Sequence, residues 1–130
     1  MKYKSFEEMP VWQEAHRLAI LIYRISDGFP KEETYNLVSQ MRRAALSVEA
    51  NIAEAFGRHH LADKRNFYYN SRGSLEELHS HSITARDLKM LSAEDFKIIV
   101  SIADVIKESI NAIISTFGHI IDGKAKNTQS

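Results

Sequence analysis

The sequence contains no cysteine, and its 130 residues include only two prolines and five glycines. The missing cysteines exclude disulfides, thiolate nucleophiles and cysteine-ligated zinc or iron–sulfur sites, and they fit a reducing compartment. The scarcity of proline and glycine is untypical of an all-β chain with many turns. Because basic and acidic residues both number 17, the chain also lacks the strong positive charge of many nucleic-acid-binding proteins.

Long hydrophobic runs are missing as well. The longest, Leu18 to Tyr23, has six residues, whereas a membrane-spanning helix needs about 20. The first ten residues, MKYKSFEEMP, have no apolar segment of the kind found in a secretory signal peptide. We therefore expect a cytoplasmic protein with no membrane partner. Hydrophobic residues make up 44% of the chain, which is enough for one domain with its own core.

Four amphipathic segments predict an all-α fold. They run from about Pro10 to Asp27, Lys31 to Phe56, Leu61 to Lys89, and Ser92 to residue 122. Apolar residues recur at alternating spacings of three and four, most regularly in the first and fourth segments, as in helices with a core-facing seam. Short connections between four helices predict an up-down-up-down antiparallel four-helix bundle. We place this single domain at residues 1–122 and a polar C-terminal tail at residues 123–130.

The first and fourth segments carry more apolar residues than one core-facing stripe requires. A second apolar surface of this length should not face water, so we expect the chain to form a homo-oligomer. A broad single core is the alternative. The candidate oligomer contacts are Trp12, Ile20, Tyr23, Ile98, Ile102 and Val105.

A polar stripe runs along the second segment, with spacings of three or four residues that place its members on one helical face. In an antiparallel hairpin with the third segment, Arg43 would lie within reach of Glu77, and Glu54 would lie near Lys64. Such an arginine–carboxylate pair fixes the orientation of its partners. We interpret the stripe as a structural network made of Gln40, Arg43, Ser47, Asn51, Glu54, Ser74 and Glu77.

The same hairpin carries the residues best suited to contact RNA or DNA. Phe67, Tyr68 and Tyr69 stand between basic residues and could stack on bases. In the alternative interpretation, these aromatics are core or subunit contacts and the arginines are paired or solvated. The candidate nucleic-acid contacts are Arg42, Arg58, Lys64, Arg65 and Arg72.

Catalytic and metal-binding motifs are not evident. The chain has no glycine-rich phosphate loop, no G-x-S-x-G and no H-E-x-x-H. Glu76 and His79 form one Glu-x-x-His motif, whereas di-iron bundles use two. We predict no catalytic residue, metal or cofactor. Gly73, in the middle of the third segment, predicts either a close approach by another helix or a local break.

Five motifs follow one another in a specific order: VWQEA at 11–15, FPKEETYNL at 29–37, QMRRAALSV at 40–48, NIAE at 51–54 and GSLEEL at 73–78. In this order and spacing they resemble the bacterial four-helix-bundle family named after the 23S rRNA intervening sequence. The resemblance covers about residues 6–120. The family positions that carry over are Arg42, Arg43, Asn51, Glu54, Gly73, Ser74 and Glu77.

The resemblance implies a bundle that assembles into a ring-like homopentamer with no established enzymatic activity. It also implies similarity to the accessory variability protein of diversity-generating retroelements, a pentamer associated with nucleic acid and a reverse transcriptase. RNA, DNA or a protein partner are therefore the candidate ligands besides a second copy of the chain. The alternative function is a structural or protein-partner scaffold with no nucleic-acid role.

Three features depart from the pattern of this family. Glu49 stands where the family usually has proline, which predicts a straighter second helix, and Ala55 stands where it usually has glycine. The retroelement protein is strongly basic, whereas this chain has a net charge of zero. Because electrostatic affinity for nucleic acid grows with the number of phosphates neutralised, the balanced charge predicts weaker binding.

Overall fold

The computed structural model describes residues 2–129, and the side chains of residues 2–124. Four helices make up most of this part of the chain: α1 (Pro10–Ser26), α2 (Ser39–Gly57), α3 (Leu61–Asp87) and α4 (Ala93–Gln129). No strand occurs within residues 2–129, so the all-α prediction is confirmed. Within these residues no helix is both long enough and apolar enough to cross a membrane.

The starts of α1 and α4 follow the sequence signals. Pro10 occupies the first turn of α1, where its missing N–H removes no helical hydrogen bond. The hydroxyl oxygen of Ser92 accepts a 3.0 Å hydrogen bond from the N–H of Asp95 at the start of α4, which is one half of a capping box. The turn before α4 places Lys89 at a φ of 64°, a left-handed conformation that is uncommon outside glycine.

The second segment is not the single helix that we predicted from Lys31 onward. A 3₁₀ turn at Lys31–Glu33 and a π-helical turn at Thr34–Val38 precede α2. The Glu33 carboxylate accepts a 3.4 Å hydrogen bond from the N–H of Leu37. That N–H would otherwise donate to the main-chain oxygen of Glu33, so the side chain competes with regular α-helical bonding here.

The fourth helix is longer than predicted. We expected its periodic part to end near residue 122, whereas α4 continues to Gln129. Gly123 lowers helix stability by only about 1 kcal/mol relative to alanine, so it does not by itself end the helix. Ser130 lies outside the described residues, and the boundary between domain and tail stays a prediction.

Gly73 lies within the uninterrupted helix α3. A Cβ atom built on it would meet nothing within 4 Å, so the prediction of a close helix approach at this glycine is wrong. The helix also does not break there. The small residues of α3 that are fully buried are Ser71, Ser82 and Ala85.

The four helices pack antiparallel around one core, each against two neighbours. Arg42, early in α2, bonds to Ser26 at the end of α1, whereas Glu49, later in α2, bonds to His16, earlier in α1. The α2–α3 and α3–α4 contacts run in opposite directions in the same way. The predicted up-down-up-down bundle is therefore confirmed. All four helices contribute large, fully buried apolar side chains: Leu18, Ile22, Met41, Val48, Ile52, Leu75, Leu78, Ile99, Ile106 and Ile110.

Candidate interaction surfaces

Arg43, near the start of α2, joins this helix to α3. Its Nη2 donates a 3.0 Å hydrogen bond to Oε1 of Glu77 in α3, and it also donates to the Gln40 side chain. His81 follows Glu77 by one helical turn, with its Nε2 3.4 Å from the same Oε1 atom. The structure thus brings together three of the predicted network residues and adds a histidine that the sequence analysis did not select.

A second group of network residues lies further along the contact between α2 and α3. The hydroxyls of Ser47 and Ser74 are 2.8 Å apart across the two helices. The Asn51 side-chain amide donates to both the hydroxyl and the main-chain oxygen of Ser47, at 3.0 and 2.8 Å. These short side chains connect α2 and α3 where long ones would force them apart.

Glu54 is separate from this network. Its carboxylate pairs with Arg58 one turn later, at 2.7 Å, rather than with Lys64. The Lys64 ammonium instead donates to the main-chain oxygens of Ala55 and Phe56 at 3.0 and 3.2 Å. These carbonyls lie in the last turn of α2, where helical partners are missing and positive charge is favourable. Partial burial lowers the pKa of Lys64 below its usual value.

Arg42 lies near the start of α2, far from the basic candidates that follow the end of this helix. Its Nε donates to the hydroxyl of Ser26 at 2.9 Å, and its Nη2 donates to the main-chain oxygen of Tyr23 at 3.3 Å. Its guanidinium carbon lies 4.6 Å from the centre of the Tyr23 ring. Arg42 therefore connects α2 to the C-terminal end of α1, whereas Arg58 and Lys64 stand at the opposite end of the bundle.

The remaining basic candidates lie on α3. Arg72 donates to the Asn111 side chain in α4 at 2.9 Å and packs over the Tyr69 ring at 5.1 Å. Arg65 packs close to Gly118 of α4, and its buried Nε has no hydrogen-bond partner among the described residues. The five candidates therefore do not form one continuous surface.

The three aromatic residues of α3 have different environments. Tyr68 is only 2% exposed, so it belongs to the core and cannot stack on a base. Burial raises the pKa of Tyr68 to about 12. Tyr69 is 41% exposed, and Phe67 is half-buried beneath Arg58, at 4.7 Å from its guanidinium carbon. Of the predicted stacking residues, Tyr69 is the one most open to a ligand.

The candidate oligomer contacts lie at the surface of α1 and α4. Ile20, Tyr23, Ile98 and Val105 are each about two-fifths to one-half exposed, while Trp12 and Ile102 are half-buried. Trp12 packs against Phe6, at 5.0 Å between ring centres, and stacks on His16 at 4.9 Å.

The two sides of α4 differ in polarity. Towards α3, Lys107 pairs with Glu76 at 2.7 Å. This hydrogen bond is the main reason why the pKa of Glu76 is lowered and that of Lys107 is raised. Towards α1, an uncharged stripe follows spacings of three and four residues along the helix. We call it the α4 stripe; it consists of Ile98, Ile102, Val105, Ser109, Ala112 and Thr116.

The α4 stripe leads into a cleft of about 760 Å³. Met9, Pro10 and Val11 at the start of α1 form one wall, and Tyr68 contributes to another. Ser109, Ala112 and Thr116 of the stripe line the cleft as well. Its walls are therefore mostly apolar. Elsewhere in the described part of the chain, no group of three or more histidine, aspartate or glutamate residues is placed to hold a metal ion.

The sequence analysis missed one polar contact between α1 and α2. Nδ1 of His16 lies 2.7 Å from Oε2 of Glu49, whose side chain is 12% exposed. A signal was present, because Glu49 directly follows the core residue Val48 and stands three residues before Ile52. A carboxylate at this buried edge requires a partner.

The fold and the contacts above describe a small helical-bundle protein. The profile of the 23S rRNA-intervening sequence protein family matches residues 7–112. The chain therefore belongs to this family, and the resemblance seen in its motifs is confirmed.

A solved structure has the same fold. It is the crystal structure, at 1.70 Å resolution, of a protein with unknown function from the S23 ribosomal protein family of Bacteroides thetaiotaomicron. The two chains superimpose with a TM-score of 0.72 at 20% sequence identity, over 80% of this chain and 97% of the other. A search of curated proteins finds no match.

Proposed function

We propose that this protein is a non-enzymatic scaffold that assembles with copies of itself into a homopentamer, with the cytoplasm as its expected location. The observation that carries this proposal is the α4 stripe, in which Ile98 and Val105 remain exposed to water within the described bundle. Burial of apolar surface is favourable by roughly 25 cal/mol per Å², so contact with another copy would stabilise the stripe. The number of five copies comes from the family resemblance.

The contacts of the polar side chains support the non-enzymatic part of the proposal. The side chains of Arg43 and Glu77 bind each other, and so do those of Ser47 and Ser74. Their hydrogen bonds join α2 to α3, which is a structural task. A catalytic site would need a nucleophile, a base and an orienting group directed into a pocket.

The solution mass tests self-assembly. We expect static light scattering to give five times the 14.9 kDa mass of one chain. Val105→Asp, in the α4 stripe, should lower the mass because it places a charge in an apolar contact. Ser115→Asp, an exposed position of α4 outside the stripe, is the matched control and should leave the mass unchanged. A wild-type protein that remains monomeric would contradict the proposal.

We propose RNA or DNA binding as a second candidate function. Two arginine–aromatic pairs support it, Arg58 with Phe67 and Arg72 with Tyr69, because guanidinium and ring planes are the groups on which single-stranded bases stack. The family name refers to an rRNA, which is the reason to begin with RNA. The zero net charge predicts modest affinity.

Titration of the same sample with labelled single-stranded RNA separates the two functions. Binding that weakens from low to moderate salt supports an assembly that contacts nucleic acid. A pentamer that binds no RNA at either salt concentration contradicts this second function and leaves the scaffold, with a protein as its partner.

A further inference from the structure

A buried hydroxyl without a partner lies beside the apolar cleft between α4 and the start of α1. Tyr68 is 2% exposed, and its hydroxyl has no hydrogen-bond partner among residues 2–124. A buried tyrosine usually places its hydroxyl against such a partner, because an unsatisfied buried polar group is unfavourable. Burial also raises the pKa of Tyr68 to about 12, so the hydroxyl keeps its proton at neutral pH. Tyr68 can therefore donate a hydrogen bond to a ligand in the cleft that it lines.

The cleft of about 760 Å³ adjoins a smaller hollow of about 310 Å³ between the end of α2 and the start of α3. Ser109 lines the cleft but not the hollow, and Lys64 lines the hollow but not the cleft, so these two residues stand at opposite ends. Along α4, the distance from Ser109 to Phe117 is about 12 Å of helix. We call the cleft and the hollow together the long groove; the residues that line both parts are Lys2, Tyr3, Met9, Tyr68 and Phe117.

The charged side chains of the long groove are all basic. Lys2 and Lys64 line it, and no aspartate or glutamate of the described chain does. Neither lysine forms an ion pair within residues 2–124. The Lys64 ammonium donates to the main-chain oxygens of Ala55 and Phe56, which leaves its third N–H for a ligand. Lys64 also precedes Tyr68 by four residues, so the two side chains are neighbours on α3 and can bind one anion together.

The rest of the long groove suits an apolar chain. Ala112, Ile113 and Phe117 of α4 line it on one side, and Met9 and Val11 line it at the start of α1. The volume of the cleft falls within the range of about 300–1,000 Å³ that is typical of small-molecule sites. An elongated apolar groove with hydrogen-bond donors towards one end and no acidic side chain matches a single-chain amphipathic anion.

We propose that the long groove binds a free fatty acid. The carboxylate accepts hydrogen bonds from the Tyr68 hydroxyl and the Lys64 ammonium, and the alkyl chain lies along α4 towards Ser109. Hydrogen bonds to a charged group are the stronger ones, and the apolar walls bury the chain. The inference does not rest on the proposed self-assembly, because Ile98 and Val105, the exposed apolar residues of the α4 stripe, lie at the other end of that stripe.

Isothermal titration calorimetry with dodecanoate, below its micelle concentration, tests the binding. Because dodecanoate buries two more CH₂ groups than decanoate, it should bind roughly tenfold more tightly. Dodecyltrimethylammonium has the same chain and the opposite charge, so it should bind at least tenfold more weakly than dodecanoate. Absence of dodecanoate binding, or equal affinities for the two dodecyl probes, would overturn the inference.

Tyr68→Phe tests the head-group contact, because it removes the hydroxyl and keeps the ring. The dissociation constant of dodecanoate should rise about tenfold, the loss expected for one hydrogen bond to a charged group. Without ligand, the variant should unfold at the same temperature as the wild type or at a higher one. Tyr69→Phe, at a 41% exposed position outside the long groove, is the matched control and should bind dodecanoate normally. Unchanged affinity in the Tyr68 variant, or a lower unfolding temperature without ligand, contradicts the proposed role of the hydroxyl.

Lys64→Met should weaken dodecanoate binding by a similar factor. Lys97→Met, at an exposed position of α4 outside the long groove, removes the same charge and should leave the affinity unchanged. Equal affinities of these two variants would contradict the role of Lys64. Light scattering identifies the occupant, since a bound fatty acid should leave the mass of the protein unchanged. A mass that falls as dodecanoate is added would show that a second copy of the chain occupies the groove, and would overturn the inference.

Discussion

The side chain of Glu49 in α2 lies 2.7 Å from Nδ1 of His16 in α1, and this contact joins the two helices at the edge of the core. Glu49 is the one charged side chain among the buried residues of the described part. The Trp12 ring stacks on the His16 imidazole, with an angle of 9° between the two ring planes. Stacking and hydrogen bonding together hold the histidine over the carboxylate.

His16→Ala should destabilise the protein. It leaves the buried Glu49 oxygen without its partner, and an unsatisfied buried polar group costs about 1–3 kcal/mol. The measurement is the free energy of unfolding in urea. His59→Ala, at an exposed position between α2 and α3, is the control and should change it by less than about 0.5 kcal/mol. Equal stabilities of the two variants would contradict a structural role for the contact.

Ser71→Ala should weaken the contact between α2 and α3. The Ser71 hydroxyl is buried and donates a 2.8 Å hydrogen bond to the main-chain oxygen of Val48. Its loss should lower the free energy of unfolding by about 0.5–1.5 kcal/mol. Ser80→Ala, at an exposed position of the same helix, serves as the control. A Ser71 variant as stable as the wild type would show that the hydrogen bond adds nothing.

Gly73→Ala should stabilise the protein. The position lies inside α3, and a new Cβ would meet no atom within 4 Å. Alanine in a helix interior is favoured over glycine by roughly 0.5–1 kcal/mol, because the unfolded chain loses less freedom on folding. Thermal unfolding should therefore occur at a higher temperature. A lower unfolding temperature would mean that the family glycine serves a contact outside the single chain.

The Glu76–Lys107 pair predicts a small dependence of stability on pH. The pKa of Glu76 is lowered in the folded protein, chiefly by the hydrogen bond from Lys107. The stabilisation is therefore present above the pKa of about 4.3 that glutamate has in the unfolded chain, and it is lost as the pH falls through the folded value. Lys107→Met should flatten this part of the stability profile. Because both side chains are exposed, the effect should be below about 1 kcal/mol and should shrink in salt.

If the protein binds RNA through its basic side chains, Arg42→Ala combined with Arg58→Ala should weaken binding and flatten its salt dependence. Because Arg42 also bonds to α1, the stability of the variant must be measured beside its affinity. Arg86→Ala, another exposed arginine–aromatic contact that lies outside the candidate set, is the control. An unchanged affinity and salt slope in a folded double variant would exclude these two arginines as phosphate contacts.

The helices themselves could be predicted from the sequence because their signals are local. Pro10 at the start of α1 and Ser92 before α4 act within one turn, and the core seams repeat every three or four residues. The pairing of Arg43 with Glu77 also follows from local information, since a short connection between two helices sets which residues lie opposite each other. Family membership, too, could be read from the order of short motifs.

Other features could not be predicted from the sequence, because they depend on interactions that follow no helical period or that join residues far apart in the chain. The π-helical turn before α2 arises where the Glu33 side chain competes for a main-chain N–H, which no hydrophobic period reveals. The burial of Tyr68 and the openness of Tyr69 depend on where α4 packs. Gly73 predicted a close approach by another helix, but the space around a residue depends on how the neighbouring helices pack.

The sequence by itself therefore determined the four helices, their antiparallel order and the family, because helix periodicity, capping and short loops act over a few residues. The tertiary structure decided which polar groups meet. Glu49 reaches His16, and Lys64 reaches the end of α2, only after the helices have packed together. It also decided that Arg42 stands at the opposite end of the bundle from Arg58 and Lys64. Side-chain pairing and exposure are properties of packed helices, and packing is set by the whole core.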